Sequence, residues 1–354
     1  MEEGAEYYVS EAVNRFRQGQ YSEALDLFDR AISLDPDSAR AWNGRGTALA
    51  KLGHYTSALE ACDTAVARDP GYFRAWSNRG WVLGHLGRTT EALESLDRAI
   101  SLCPDYAEAW YTRGWALMNQ GSLLKALDSC DRAVALGPDN AEAWNMRGTV
   151  LMALARYEDA LDSCDHVIAL SPFLPGAWFN RANTLAALGR HAEALGSYDK
   201  ALALRPDYAE AHNNRGNSLM ALDRPEEAAD SYFAAVSYRP EYAEAWYNHG
   251  SALSYRERYD EAIDSYGIAT RLRPGYADAW YNRGVALGAL GRDEEALASF
   301  DRAITASAGD AAAWKARGNA LKRLLRDTEA EESFEMAGRI EAGTAVKTGR
   351  GSGC

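Results

Sequence analysis

Four asparagines recur at steps of 34 residues, Asn180, Asn214, Asn248 and Asn282. Asn78 is an outlying member of the series, and Asn183 and Asn217 stand one helical turn further along. A primary amide donates and accepts at once, so a row of amides suits a peptide backbone whose side chains go unread. Asparagine is a mediocre helix former, and four in register want a reason. Two indoles, Trp81 and Trp115, keep the same interval, while Tyr111, Phe179, Tyr247 and Tyr281 share another slot of it. Aromatics on an open face are apolar anchors for a partner. Arg40 and Arg74 occupy a slot that is acidic along most of the array (Glu108, Glu142, Glu210, Glu244, Asp278). Arginine there opposes the helix dipole and makes one end a basic patch suited to an acidic side chain or a terminal carboxylate. Each set has a structural alternative: amides bonded to neighbouring helices, aromatics packed on the adjacent unit, and arginines that are surface variation.

Catalytic chemistry finds no comparable support. The histidines, at 54, 85, 166, 191, 212 and 249, form no His-x3-His or His-Glu-x-x-His pair, and no phosphate loop, dinucleotide fingerprint or Gly-x-Ser-x-Gly elbow occurs. Cys62, Cys130 and Cys164 lie 68 and then 34 residues apart without a Cys-x-x-Cys, so free thiols in small apolar slots are expected rather than zinc or disulfides. No enzyme activity, metal or cofactor is expected. With Lys+Arg 38 against Asp+Glu 51, the chain carries a net charge of −13 and is a poor partner for nucleic acid or anionic membranes. No apolar run approaches the ~18 residues of a membrane span, and the acidic start Met1-Glu2-Glu3-Gly4 has no signal-peptide core, which points to the cytoplasm.

The interval that spaces these residues governs the chain. Trp42, Trp76, Trp110, Trp144 and Trp178 are 34 apart; His212 takes the next slot, and Trp246, Trp280 and Trp314 resume. Gly46, Gly80 and Gly114 follow four residues later and Leu49, Leu83 and Leu117 three after that; alanines such as Ala92 and prolines such as Pro70 mark the second half. Apolar residues at steps of four and three make one face of a first helix, and Ala92, Leu93, Leu96, Ala99 and Ile100 make one face of a second. Gly53, Gly87, Gly121, Gly189 and Gly291 sit where a left-handed C-cap is wanted. Asp105 with Glu108, Asp139 with Glu142 and Asp207 with Glu210 predict capping boxes opening the next helix. Neither helix buries its face alone, so the units must stack.

One arginine series needs a partner. Arg45, Arg79, Arg113, Arg147, Arg215 and their equivalents recur with Asp29, Asp63, Asp97, Asp131 and Asp199, predicting ion pairs between helices. Counting eighteen residues forward, His249 replaces the arginine where Gly267 replaces the acid, which reads as a joint loss. Whether Arg79 pairs with Asp97 of its own unit or Asp63 of the previous one stays open.

The pattern W-x2-R-G-x2-L, then A, then P, at a period of 34 resembles the tetratricopeptide repeat. It covers ten units from 5–38 to 311–344. The first is degenerate, with Tyr8 and Ala12 in the Trp and Gly slots, and the last carries Ala342 in place of proline. The resemblance implies an all-α fold, a right-handed α-solenoid superhelix of stacked helix-turn-helix repeats. The expected organisation is a tail at 1–4, one solenoid at 5–344 and a disordered tail at 345–354. The resemblance also implies a non-catalytic scaffold that binds an extended segment of a partner protein along the first-helix groove. The amide row is similar to that in the repeat superhelix of O-linked N-acetylglucosamine transferases, whose catalytic domain is missing here. Val9 and Val13 stand where chaperone-binding members carry the Lys and Asn of a dicarboxylate clamp. The competing expectation is a self-assembling solenoid, a homo-oligomer joined through weakly capped ends, or the repeat portion of a longer protein.

Overall fold

The computed structural model describes residues 4–343, so the tail expected at 345–354 lies outside the described residues. Among them are twenty α-helices and no strand. The chain divides into two compact units, Met1–Pro172 and Phe173–Cys354, with the division at the end of the fifth repeat. The first unit holds α1 (Ala5–Arg17), α2 (Tyr21–Leu34), α3 (Ala39–Lys51), α4 (Tyr55–Arg68), α5 (Phe73–His85), α6 (Thr89–Leu102), α7 (Ala107–Asn119), α8 (Leu123–Leu136), α9 (Ala141–Ala153) and α10 (Tyr157–Leu170). The second holds α11 (Pro175–Ala187), α12 (His191–Leu204), α13 (Ala209–Ala221), α14 (Pro225–Tyr238), α15 (Ala243–Tyr255), α16 (Tyr259–Leu272), α17 (Ala277–Ala289), α18 (Asp293–Ala306), α19 (Ala311–Arg323) and α20 (Asp327–Glu341). Within each unit every helix packs on the next, and the odd-numbered first helices of successive hairpins also touch, as α3 touches α1 and α5. Each unit is thus a stack of hairpins, all-α and in phase with the sequence repeat.

The small residue of the first helix sets how closely the pair approaches. A Cβ at Gly80 would lie 2.6 Å from Leu96 Cγ and 3.0 Å from the Ala92 carbonyl oxygen, so only glycine fits that crossing. At Gly114 the facing atom is Cys130 Sγ, 2.8 Å from an added Cβ. Burial pushes the Cys62 and Cys130 thiols up to about 12, which keeps them protonated and makes them packing residues.

The tryptophan and proline markers belong to one contact. Trp42, Trp76, Trp110 and Trp144 each donate Nε1–H to the carbonyl oxygen of the proline six residues earlier, at 2.8–3.0 Å. Proline ends the second helix, and the indole then satisfies the carbonyl it leaves free.

The hairpin turn needs a left-handed residue. Gly53, Gly87, Gly121, Gly189 and Gly291 supply it with φ between 72° and 85°, as the spacing predicts. Ala155, Asp223, Glu257 and Leu325 take the same turn at φ 55–59° without glycine's freedom.

The expected capping boxes do not form. Helices α7 and α13 begin at Ala107 and Ala209, and their N-caps are Tyr106 and Tyr208, which make no side-chain cap. Asp105 and Asp207 therefore lie one residue too early. Side-chain caps occur where the last residue of the preceding unit is short and polar: Ser38, Asn140 and Asp310.

Candidate functional site

A cleft of about 250 Å³ in the first unit is walled only by first helices, α1, α3, α5, α7 and α9. Lys51, Asn78, Trp81, Glu108, Tyr111 and Glu142 line it. Lys51 Nζ lies 5.8 Å from the Trp81 ring, within cation–π range. Burial, and then the neighbouring Glu142, hold the Glu108 carboxyl above its ordinary range, while Lys51 opposes them. Asn78 donates Nδ2–H to Asn43 Oδ1 at 2.8 Å and to Thr47 Oγ1 at 3.2 Å, so its amide is braced from the preceding repeat. A second cleft, of about 380 Å³, brings Arg40 and Arg74 together over Val9, Val13 and Asn43. Arg40 pairs with Glu6 at 3.0 Å, and Arg74 lies 5.6 Å from the rings of both Phe73 and Tyr106. The two arginines of the basic slot, one repeat apart in sequence, thus share one surface.

The indoles do double duty. Trp81 and Trp115 are both half-buried. The Trp115 ring lies over Gly84, where an added Cβ would come within 2.3 Å of its Cζ3. His85 is packed between them, 4.2 Å from Trp81 and 4.9 Å from Trp115, and stacks on Tyr55 at 5.0 Å. Burial and Lys51 lower its pKa, favouring the neutral ring. Trp81 thus lines the cleft while also packing on His85, and Trp115 packs on Gly84 and His85 outside the cleft lining.

In the second unit the amides join one repeat to the next. Asn214 Nδ2 donates to Asn183 Oδ1 at 3.0 Å, Asn248 Nδ2 to Asn213 Oδ1 at 3.0 Å, and Asn282 Nδ2 to the Tyr247 hydroxyl at 3.1 Å. Asn183 and Asn217 also accept from Tyr198 and Tyr232, both at 2.7 Å. The half-buried Asn180 accepts at its backbone carbonyl from Thr184. Asn248 Nδ2 also reaches Asn217 Oδ1 at 3.5 Å, and Asn183 Oδ1 accepts twice, so these amides are first of all ties between repeats. Phe179 lies 4.7 Å from Tyr208 and Tyr247 5.0 Å from Tyr276, while Tyr281 faces Phe300 at 5.9 Å. These rings pack between helices and are half-buried.

The arginine series is resolved in favour of the previous repeat. Arg45, Arg79, Arg113, Arg147, Arg215 and Arg317 donate Nε–H to Asp29, Asp63, Asp97, Asp131, Asp199 and Asp301 at 2.6–2.8 Å, always sixteen residues back. From Arg79 onward Nη1 also reaches a serine of its own repeat, as Arg113 reaches Ser129 at 2.8 Å. One guanidinium thus ties three helices. With the direction known, the apparent joint loss of His249 and Gly267 dissolves. The slot facing His249 is Phe233, 5.7 Å away ring to ring, and Gly267 faces Arg283.

Sequence reasoning missed a second series. Arg88, Arg190, Arg224, Arg258, Arg292 and Arg326 stand at the N-caps of second helices and pair with the glutamate three residues on, at 2.5–2.8 Å. Its signal, Arg-x-x-Glu at the repeat interval, was present but overshadowed by the tryptophan frame.

Hairpins of two helices, stacked in phase and tied by a repeated guanidinium, define a helical-repeat protein. The tetratricopeptide repeat profile matches residues 10–73, 46–107, 77–141, 111–175, 213–253 and 247–311, and a second repeat profile of the same kind matches 182–223. The chain belongs to the tetratricopeptide repeat family. A search of the curated proteins returns no match. Among solved structures, PilF of Pseudomonas aeruginosa is 17% identical, with 60% of this chain and 97% of that one covered at a TM-score of 0.54. PilW, a type IV pilus biogenesis factor, is 22% identical, with 58% and 96% covered at 0.54. MamA is 27% identical over 46% of this chain and 96% of its own, at 0.45. Among the described residues no helix is long and apolar enough to cross a membrane.

Proposed function

We propose that this protein is a non-catalytic interaction scaffold that binds an extended segment of another protein along its first-helix face. The observation that carries this reading is the cleft walled by five first helices, where Lys51, Asn78, Trp81, Glu108 and Tyr111 meet. Its lining mixes an aromatic anchor, an amide braced for backbone contact and charges of both signs, the chemistry of a peptide site. Selection from a peptide library against the whole chain, followed by calorimetry, tests it. Trp81→Ala with Trp115→Ala should weaken some selected peptides by tenfold or more and spare others. Asn78→Ala should weaken all of them slightly and alike, since backbone contacts carry little side-chain information. If both variants keep their helicity and bind like the parent, the first-helix face is not the binding surface.

A further inference from the structure

Arg283 is the member of the ladder whose acid is missing. Its Nη1 keeps the bond to Ser299 at 2.9 Å, but Nε is buried and has no hydrogen-bond partner. In the six pairs above the same atom donates to an aspartate; here the facing residue is Gly267. The aspartate's place is empty space: a Cβ built on Gly267 meets nothing closer than Arg283 Nε, at 4.0 Å. That space is part of a cleft of about 580 Å³ between α16 and α17. Ile263, Ile268 and Trp280 give it apolar walls, while Arg271 and Asp264 stand on its rim beside Arg283.

A buried N–H without an acceptor is costly, and a guanidinium without a carboxylate more so. The neighbouring repeat shows the loss compensated, since His249 replaces the arginine, packs against Phe233 and contacts Ser265 at 2.9 Å. At Arg283 no residue accepts the Nε–H, and Glu295 and Asp264 act on the guanidinium only through their charge. We propose that this cleft is a docking site for an aspartyl side chain of another protein, which enters beside Gly267 and accepts the Nε–H of Arg283 as the ladder aspartates do. The commitment to aspartate follows from the occupant of the equivalent slot, and the apolar walls favour apolar residues flanking it. Arg271, Arg283 and the neighbouring Arg292 outnumber the carboxylates of Asp264 and Glu295, so the charge around Nε stays positive. Burial, and then Arg292, hold the Arg283 guanidinium below its ordinary pKa, with Glu295 and Asp264 opposing them. The site lies between a second helix, α16, and the first helix that follows it, α17, and shares no lining residue with the first-helix cleft.

The test follows the Arg283 Nε–Hε resonance of the whole chain by NMR, assigned with Arg283→Lys, during titration with Ac-Leu-Asp-Leu-NH2. Saturable movement of that resonance is expected, at least tenfold weaker with Ac-Leu-Asn-Leu-NH2. Gly267→Asp should supply the carboxylate internally, abolish the response and raise Tm. Should that variant fail to fold, Arg283→Gln with verified helicity must bind Ac-Leu-Asp-Leu-NH2 at least tenfold more weakly than the parent by calorimetry. Equal responses to the aspartyl and asparaginyl peptides, or an aspartyl response that survives Gly267→Asp, would overturn the proposal. So would a response confined to Ac-Leu-Leu-Leu with a free carboxylate, which would assign the cleft to chain termini instead.

Discussion

His212 Nε2 lies 2.9 Å from the carbonyl oxygen of Pro206, in the place where tryptophans of other repeats donate to theirs. A carbonyl only accepts, so Nε2 carries a hydrogen; burial lowers the ring's pKa and favours the neutral form, against the Pro206 hydrogen bond. Histidine is thus a working substitute for the indole, with Tyr238 stacked on it at 5.6 Å. His212→Trp should preserve or raise stability, whereas His212→Ala should lower it by about 1–2 kcal/mol through the lost bond and packing. Urea denaturation measures both; an Ala variant as stable as the parent would show that the carbonyl is indifferent to its donor.

Arg113→Ala should destabilise by only about 1 kcal/mol. A fully buried pair would imply about 3–5 kcal/mol, from an acid stranded in a dry interior. Asp97, however, is 58% exposed and Arg113 24%, so water re-solvates the carboxylate once the arginine is gone. The Ser129 hydroxyl keeps its bond to the Lys125 carbonyl. A double-mutant cycle with Asp97→Ala should give a coupling of about 0.2–1 kcal/mol. A larger value would place the pair in a desolvated environment.

Leu325→Gly should raise stability by about 1 kcal/mol. Leu325 adopts φ 58° and is 86% exposed, so the substitution relieves backbone crowding and removes no packing. Ala155→Gly, at φ 55°, should act in the same direction. Thermal unfolding of the two variants decides it, and a lowered Tm in both would contradict the strain argument.

Acid should expose the His249 substitution. Its pKa is lowered from the usual 6.5 to about 4, first by burial and then by Arg258, against Glu261 and Asp230. The unfolded chain therefore binds a proton near pH 6.5 that the folded chain refuses until about pH 4. Stability is intact above pH 6.5 and falls between those values, by up to roughly 3 kcal/mol from this group. His249→Gln should flatten that part of the stability curve relative to the parent. Parallel curves for the two proteins would mean that the ring titrates normally in the fold.

The period, the helix pairs and the left-handed turns are local matters, and the sequence displays them directly. Trp-x2-Arg-Gly in phase dictates which face packs, Gly53 and its equivalents dictate where the hairpin turns, and ten units in register dictate that hairpins stack. The amide, indole and arginine slots were legible as faces for the same reason. What those side chains touch was not legible, because contact across a stack depends on how far one repeat rotates against the next. Asn214 and Asn248 turned out to bond the neighbouring repeat, and Trp115 to lie on Gly84. One repeat of 34 residues separates the acid eighteen residues ahead from the acid sixteen residues back, and spacing alone was equally content with either. Only the packed helices chose the previous repeat, and that choice turned Gly267 from one half of a harmless joint loss into the gap that leaves Arg283 Nε without an acceptor.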